Sequence, residues 1–165
     1  MSSLYLSTGR KPSQLTRKVS RLLSLILQGK YENRGKKSVS EICSRAEKFG
    51  CQKVAFIYEK KGNPASIEFF DEEGGWLEEI ISVSGIYFHE KEGRKRIPSK
   101  IKLTAIDDTG VRMIALLGLE NEVEDETSLL EGNFSKTGIA FYLGGVKVLE
   151  LKGSLGRIAN EKGAD

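Results

Sequence analysis

Lysine and arginine, rather than any nucleophile or metal ligand, are the residues whose spacing in this chain points to chemistry. Arg10 and Lys11 lie in the turn from Gly9 to Pro12, and Arg17, Lys18 and Arg21 follow at the spacing of one outer helix face. Arg34, Lys36 and Lys37 make a second basic cluster, and Arg94, Lys95 and Arg96 a third. Residues 1–62 carry 14 Lys or Arg against 4 Asp or Glu, whereas 63–90 carry seven acids and no Lys or Arg. The formal net charge of +3 therefore conceals segregated blocks. A chain whose charges only solvate its faces intersperses the two signs. Blocks of this size make a basic face and an acidic one, and a basic face attracts polyanions. The chemistry expected is non-covalent recognition of phosphate.

Catalytic patterns fail on inspection. His89 is the only histidine, so any Ser-His-Asp or Cys-His arrangement must use it, and no serine stands in a nucleophile-elbow context. The run from Gly29 to Ser38 invites a phosphate-loop reading, but it has five residues between its glycines and an extra Lys before the Ser. The acidic clusters at 71–73, 78–79 and 120–126 lack the fixed ligand spacing of a cation loop. Cys43 and Cys51 are expected as small buried hydrophobes, and Trp76 and Tyr87 as core aromatics. No enzyme activity, cofactor or metal is expected. Met1–Leu6 lacks the charged start and long apolar run of a leader, and no segment reaches the ~20 apolar residues that cross a bilayer. An intracellular, cytoplasmic protein without membrane contact is the expectation.

The elements that position the basic residues can be read in order. Leu4–Ser7 is predicted as a strand and Ser13 as the N-cap of a helix. In that helix Leu15, Val19, Leu22, Leu23 and Ile26 recur at i, i+4, i+7, i+8 and i+11, one stripe about 100° wide. A strand thus delivers the chain to a basic turn, and a helix start points its amides at the same place, an arrangement that favours an anion. Lys30–Asn33 is predicted as a short strand. Ser38 and Glu41 form a capping box before the stripe Val39, Ile42, Cys43, Ala46 and Phe49, which Gly50 stops. Val54–Tyr58 is an unbroken apolar run, predicted as a strand covered on both faces. It turns at 60–64 into a partner strand carrying Ala65, Ile67 and Phe69.

The second half is predicted to repeat the first. Ile101–Ala105, Asp107–Asp108 and Val111–Leu117 give strand, polar turn and helix. Gly138–Tyr142, Gly144–Gly145 and Val146–Leu149 are matched to the hairpin that starts at Val54, with Gly-Gly as the turn. Strands at 80–88 and 97–106 are expected to bridge the halves, and 120–131 to be an acidic loop. The expected fold is α/β: one domain over 1–165, built of two similar, duplicated halves (about 1–75 and 76–165) sharing a mixed sheet with helices packed on it.

The run Leu-Ser-Thr-Gly-Arg-Lys-Pro-Ser-Gln at 6–14, leading into a Leu-rich helix, resembles the opening motif of Brix-domain proteins. The resemblance continues through Asn33-Arg34-Gly35, the helix beginning at Ser38 and the hairpin Val54–Phe70, and is strongest to archaeal single-domain members. It implies halves similar to the anticodon-binding domains of class II synthetases, and a factor in ribosome assembly that binds rRNA or pre-rRNA and assists rRNA processing. The RNA-binding candidates are Arg10, Lys11, Arg17, Lys18, Arg21, Arg34, Lys36, Lys37, Arg94, Lys95 and Arg96. Ribosomal proteins and other assembly factors are further candidate partners. Two alternatives stay open at this point: a protein–protein adaptor whose acidic face docks basic ribosomal proteins, and a tRNA-binding accessory module.

Overall fold

Five buried residues, Leu4–Thr8, form β1, against which the N-terminal part of the chain is laid. The fold is that of a computed structural model, which describes residues 4–71, 73, 75–93, 96–119 and 127–158. Ser13 caps α1 (Gln14–Ile26) by accepting a bond from the Thr16 N–H. Val19, Leu22, Leu23 and Ile26 of its stripe are buried, and Leu15 is packed at the margin. Burying each such side chain stabilises by roughly 1.5–3 kcal/mol, which fixes the helix on the sheet and turns Arg17 and Arg21 outward.

A two-residue strand, β2 (Lys30–Tyr31), pairs in parallel with β1. It is shorter than the predicted 30–33, although the Glu32 N–H still donates to the Leu6 carbonyl at 3.0 Å. Next, α2 (Val39–Lys48) opens with the predicted capping box: the Glu41 N–H donates to Ser38 Oγ at 3.1 Å, and the Ser38 N–H to Glu41 Oε1 at 3.4 Å. Gly50, at φ 76°, ends it as expected. Phe49 does not join the buried stripe. It caps the helix with 54% of its surface exposed.

Parallel to β1 on its other side runs β3 (Lys53–Lys60), which returns antiparallel as β4 (Asn63–Asp71) through Lys61 and Gly62, at φ 54° and 80°. Two positive φ values in a two-residue loop match the right-handed twist of a hairpin. Along β3, Ala55 and Ile57 enter the cluster beneath α1, while Val54 and Phe56 face Val39, Ile42 and Ala46 of α2. The strand is covered on both faces, as its unbroken apolar run predicts.

The remaining elements are β5 (Gly75–Phe88), a single turn α3 (Glu90–Gly93), β6 (Lys102–Ala105), α4 (Asp108–Leu116), β7 (Leu130–Ser135), β8 (Gly138–Leu143) and β9 (Val146–Arg157). All strands join one mixed sheet in the order β2-β1-β3-β4-β5-β9-β8-β7-β6. Met113 and Leu116 of α4 enter the same buried cluster as the stripe of α1. Among the described residues no helix is long and apolar enough to cross a membrane.

Several expectations need correction. The sequence around 97–106 does not bridge the halves: only Lys102–Ala105 is strand, and it lies at the far edge against β7. Pro98 lacks an N–H for a ladder, and the chain spends these residues crossing to that edge. The middle of the sheet is instead the antiparallel pair β5–β9, from Glu79↔Arg157 to Phe88↔Leu149 with a register shift between Val83 and Gly85. The part of the expected acidic loop at 120–126 lies outside the described residues, and Leu130–Glu131 already belongs to β7. The strand parallel to β6 is β7, as β3 is parallel to β1, and the antiparallel hairpin that follows it is β7–β8; Gly138–Tyr142 and Val146–Leu149 form the next hairpin, β8–β9. Tyr87 is 43% exposed rather than a core ring, whereas Trp76 packs on Phe56 and Phe70.

Because β3 carries both buried faces, Phe56→Ala and Ile57→Ala are each expected to cost about 2–5 kcal/mol in urea unfolding. A loss below about 1 kcal/mol at both positions contradicts the double burial.

Candidate nucleic-acid interface

The ends of β1 and β3 converge beside the start of α1, and three loops meet there. Gly9 N–H continues the β1–β3 ladder to the Ile57 carbonyl at 3.1 Å. Beyond it, Lys11 adopts φ 54°, in the left-handed region. That conformation costs an L-residue roughly 1–2 kcal/mol, and the residue before a proline ordinarily stays extended. The turn is held in this state by its surroundings.

One constraint is Glu59, near the end of β3. Its Oε2 accepts from the Ser13 N–H at 2.8 Å and from the Thr16 hydroxyl, while Ser13 Oγ donates to the Gly62 carbonyl at 2.8 Å. The helix start was expected to offer its amides to an outside anion. It already holds an internal one, and the hairpin tip is pinned to it. Burial pushes the Glu59 carboxyl up, but the bonds from Ser13 and Thr16 outweigh burial and hold it below its usual 4.5.

Arg34 is the second constraint. It is fully buried, with Nη1 donating to the Thr8 carbonyl at 2.8 Å and Nε to the Lys37 carbonyl at 2.6 Å. Its guanidinium carbon lies 5.4 Å from the centre of the Phe56 ring. A fork used on two backbone carbonyls in the interior is a clamp, which ties the 34–37 loop to the end of β1. The expectation of a surface contact at Arg34 is corrected in this respect: the side chain supports the site from beneath.

Glu32 anchors the other side of that loop. Burial raises its carboxyl, but bonds from Arg45, the Tyr5 hydroxyl and Lys37 bring it below the usual value. Arg45 Nε stands 2.6 Å from Oε1 and Lys37 Nζ 3.1 Å from Oε2. The same pairing, together with burial as the larger cause, pushes the Tyr5 hydroxyl up to about 12.

Between these loops lies a cavity of about 640 Å³, lined by Arg10, Lys11 and Pro12 of the turn, Arg17 of α1 and residues 33–36. Arg10, Lys11, Arg17 and Lys36 are exposed and have no ion-pair partner among the described residues. The other candidates are engaged elsewhere. Lys18 Nζ lies 2.5 Å from Glu90 Oε1, Arg21 stands over the Tyr31 ring at 5.9 Å, and Lys37 is bound to Glu32. Arg96 is exposed but does not line the cavity, while Arg94 and Lys95 lie outside the described residues. Sequence reading missed Glu59 and Glu32, whose only signal was their isolation as acids within the basic first 62 residues. Chemically, the arrangement is a preformed basic concavity, suited to phosphate oxygens.

Over the described residues, fold and site define an α/β protein with a nine-stranded mixed sheet and a basic concavity at the first parallel strand pair. The chain has homologues named as probable Brix domain-containing ribosomal biogenesis proteins in several archaea. That of Methanothermobacter thermautotrophicus is 46% identical over 72 residues, 44% of this chain and 44% of the relative. That of Archaeoglobus fulgidus is 35% identical over 81 residues, 49% of this chain and 50% of the relative. The match thus spans about half the length of each relative or less. No family model matches the chain. Among solved structures, Mil, an archaeal Imp4-like protein, is 28% identical, with a TM-score of 0.70 over 93% of this chain and 99% of that one. A probable ribosomal biogenesis protein from Aeropyrum pernix K1 shares the fold at 20% identity, with a TM-score of 0.72 over 95% of this chain and 97% of that one. The resemblance read from the first turn and helix is matched by these relatives.

Glu59 also generates a pH dependence. Its folded value lies below its unfolded one, so it stabilises above the unfolded value, and the contribution is lost as pH falls through the folded value. Glu59→Gln is expected to lower stability near neutrality by roughly 1–2 kcal/mol, through loss of charge-assisted bonds. The gap between the two proteins should narrow as the pH is taken from about 6 to about 3. Urea unfolding across that range checks it; a gap that widens on acidification contradicts the assignment.

Proposed function

We propose that the chain is an RNA-binding ribosome-biogenesis factor, which holds rRNA or pre-rRNA without changing it covalently and assists its processing and subunit assembly. The observation that carries this reading is the convergence of Arg10, Lys11, Arg17 and Lys36 on one cavity. Phosphates neutralised there release counterions from the RNA, which is the main sequence-independent source of affinity. The names of the archaeal relatives support the biogenesis role. In this reading Arg10, Lys11, Arg17 and Lys36 are the primary phosphate contacts. Lys18, Arg21 and Lys37 extend the basic margin, Arg34 positions the loop, and Arg94, Lys95 and Arg96 are a further basic run in the sequence. The adaptor alternative has less support, because Glu79 faces Arg112 and Glu78 stands 3.1 Å from Arg157. Part of the acidic face is thereby matched within the chain.

Binding of a labelled rRNA fragment across a salt series tests the proposal. Changing Arg10, Lys11, Arg17 and Lys36 to Gln is expected to flatten the log–log salt slope by about 0.7 per lost contact on single-stranded RNA. Folding should persist, since these four side chains are exposed. The same change at Arg94, Lys95 and Arg96 serves as comparison. A slope unmoved by the first set, or a larger effect of the second, overturns the assignment of the interface to the cavity.

A further inference from the structure

A smaller pocket of about 310 Å³ lies at the β2 edge of the sheet, lined by Tyr5, Lys30, Tyr31, Glu32, Arg45 and Phe49. Phe49 is its most telling side chain. The helical spacing of α2 places it at the end of the apolar stripe, yet the ring is 54% exposed. It is nevertheless held in place: Tyr5 stacks against it with centroids 6.0 Å apart and planes 19° from parallel, and Lys30 Nζ lies 5.0 Å from its centre. A fixed, half-open ring stacked on Tyr5, with the ammonium of a flexible lysine stem over it that a planar ligand would displace to the rim, is the start of a stacking platform.

Charge narrows the ligand further. The carboxylate of Glu32 is already bound by Arg45, Lys37 and the Tyr5 hydroxyl. Lys30 has no ion-pair partner among the described residues, so it leaves this rim positive. Glu32 and Arg45 set an acceptor and donors beside the ring, the complement of the polar edge of a base. The pocket also adjoins the basic cavity along the chain. The Tyr31 ring lines the pocket and carries Arg21 at 5.9 Å, and its hydroxyl donates to Asn33 Oδ1 at 3.0 Å. Asn33 in turn lines the cavity.

We propose that this pocket receives one unstacked base of a single-stranded RNA whose neighbouring phosphates lie in the basic cavity, an inference that rests on the RNA-binding reading above. A base within a duplex has both faces stacked and its pairing edge occupied, so it cannot lie on Phe49. The ligand is therefore an unpaired stretch of RNA, read by backbone charge at one end of the site and by base stacking at the other.

The test compares a fluorescein-labelled single-stranded RNA of about twelve nucleotides with the duplex of the same sequence, on the wild-type chain and on Phe49→Ala and Phe49→Trp. Wild type should prefer the single strand. Phe49→Ala should weaken it about five- to hundredfold with the salt slope unchanged, Phe49→Trp should restore binding, and duplex affinity should not move. Melting temperature reports whether the variants fold. Independently of any variant, a single strand carrying 4-thiouridine should crosslink on irradiation to the peptide containing Phe49. If single-strand binding depends on Arg10, Lys11, Arg17 and Lys36 but Phe49→Ala binds like wild type, or if the crosslinks fall elsewhere, the base pocket is overturned while the RNA-binding reading stands. If the wild-type chain binds neither RNA, both are overturned.

Discussion

The parallel pairing of β1 with β3, in register from Leu4↔Lys53 to Thr8↔Ile57, is the constraint from which the rest of the site follows. A parallel pair cannot be closed by a tight turn, so the chain must cross over the sheet between its two strands. Here that crossover contains α1, β2 and α2. The register places Glu59 of β3 under the first turn of α1 and presents the Thr8 carbonyl to the 34–37 loop. A one-residue slip would reverse both faces of β3, exchanging its α1-facing and α2-facing side chains. Two buried clusters oppose such a slip, since Ala55 and Ile57 belong to one and Val54 and Phe56 to the other.

On that frame the molecule uses its internal charges to hold its external ones. Glu59 occupies the helix start that an outside anion would otherwise contest, and Arg34 is used on main-chain carbonyls. Both groups are spent on internal hydrogen bonds, which tie down the elements that bring the Arg10–Lys11 turn and the Lys36 loop to one cavity. A preformed concavity avoids much of the ordering cost that flexible basic tails meet on binding. The left-handed Lys11 is consistent with this, as strain of that kind persists only where the surroundings over-determine it.

Much of this was legible in the residues, for physical reasons. The Ser13 and Ser38 caps, the stripe of α1 and the doubly covered β3 each follow from local hydrogen bonding or periodicity, and each stands where its signal placed it. The sheet was harder to read at β7, where Leu130, Gly132 and Phe134 are the inward residues. Gly132 hides the strand because it lowers strand propensity. A Cβ there would come within 3.0–3.1 Å of the Phe134, Ile101 and Phe141 side chains, which would each have to give by a few tenths of an ångström. Missing that strand left β8 and β9 as the expected hairpin and β7–β8 unread. Arg34 was opaque for another reason. Within Asn-Arg-Gly-Lys-Lys it has the composition of a solvated loop, and only the tertiary meeting with Thr8 and Phe56 buries it.

The central claim is that RNA meets this protein where the β1–β3 ends, the start of α1 and the 33–36 loop converge. Amide chemical shifts of the isotopically labelled chain, followed while a short single-stranded RNA is added, test it directly. The account predicts that the first and largest shifts fall on Gly9, Arg10, Lys11, Gly35 and Lys36, with those of Lys30 and Phe49 following at the adjoining pocket. Shifts confined to β5, β8 and β9, with the Gly9–Lys36 signals unmoved, would contradict it.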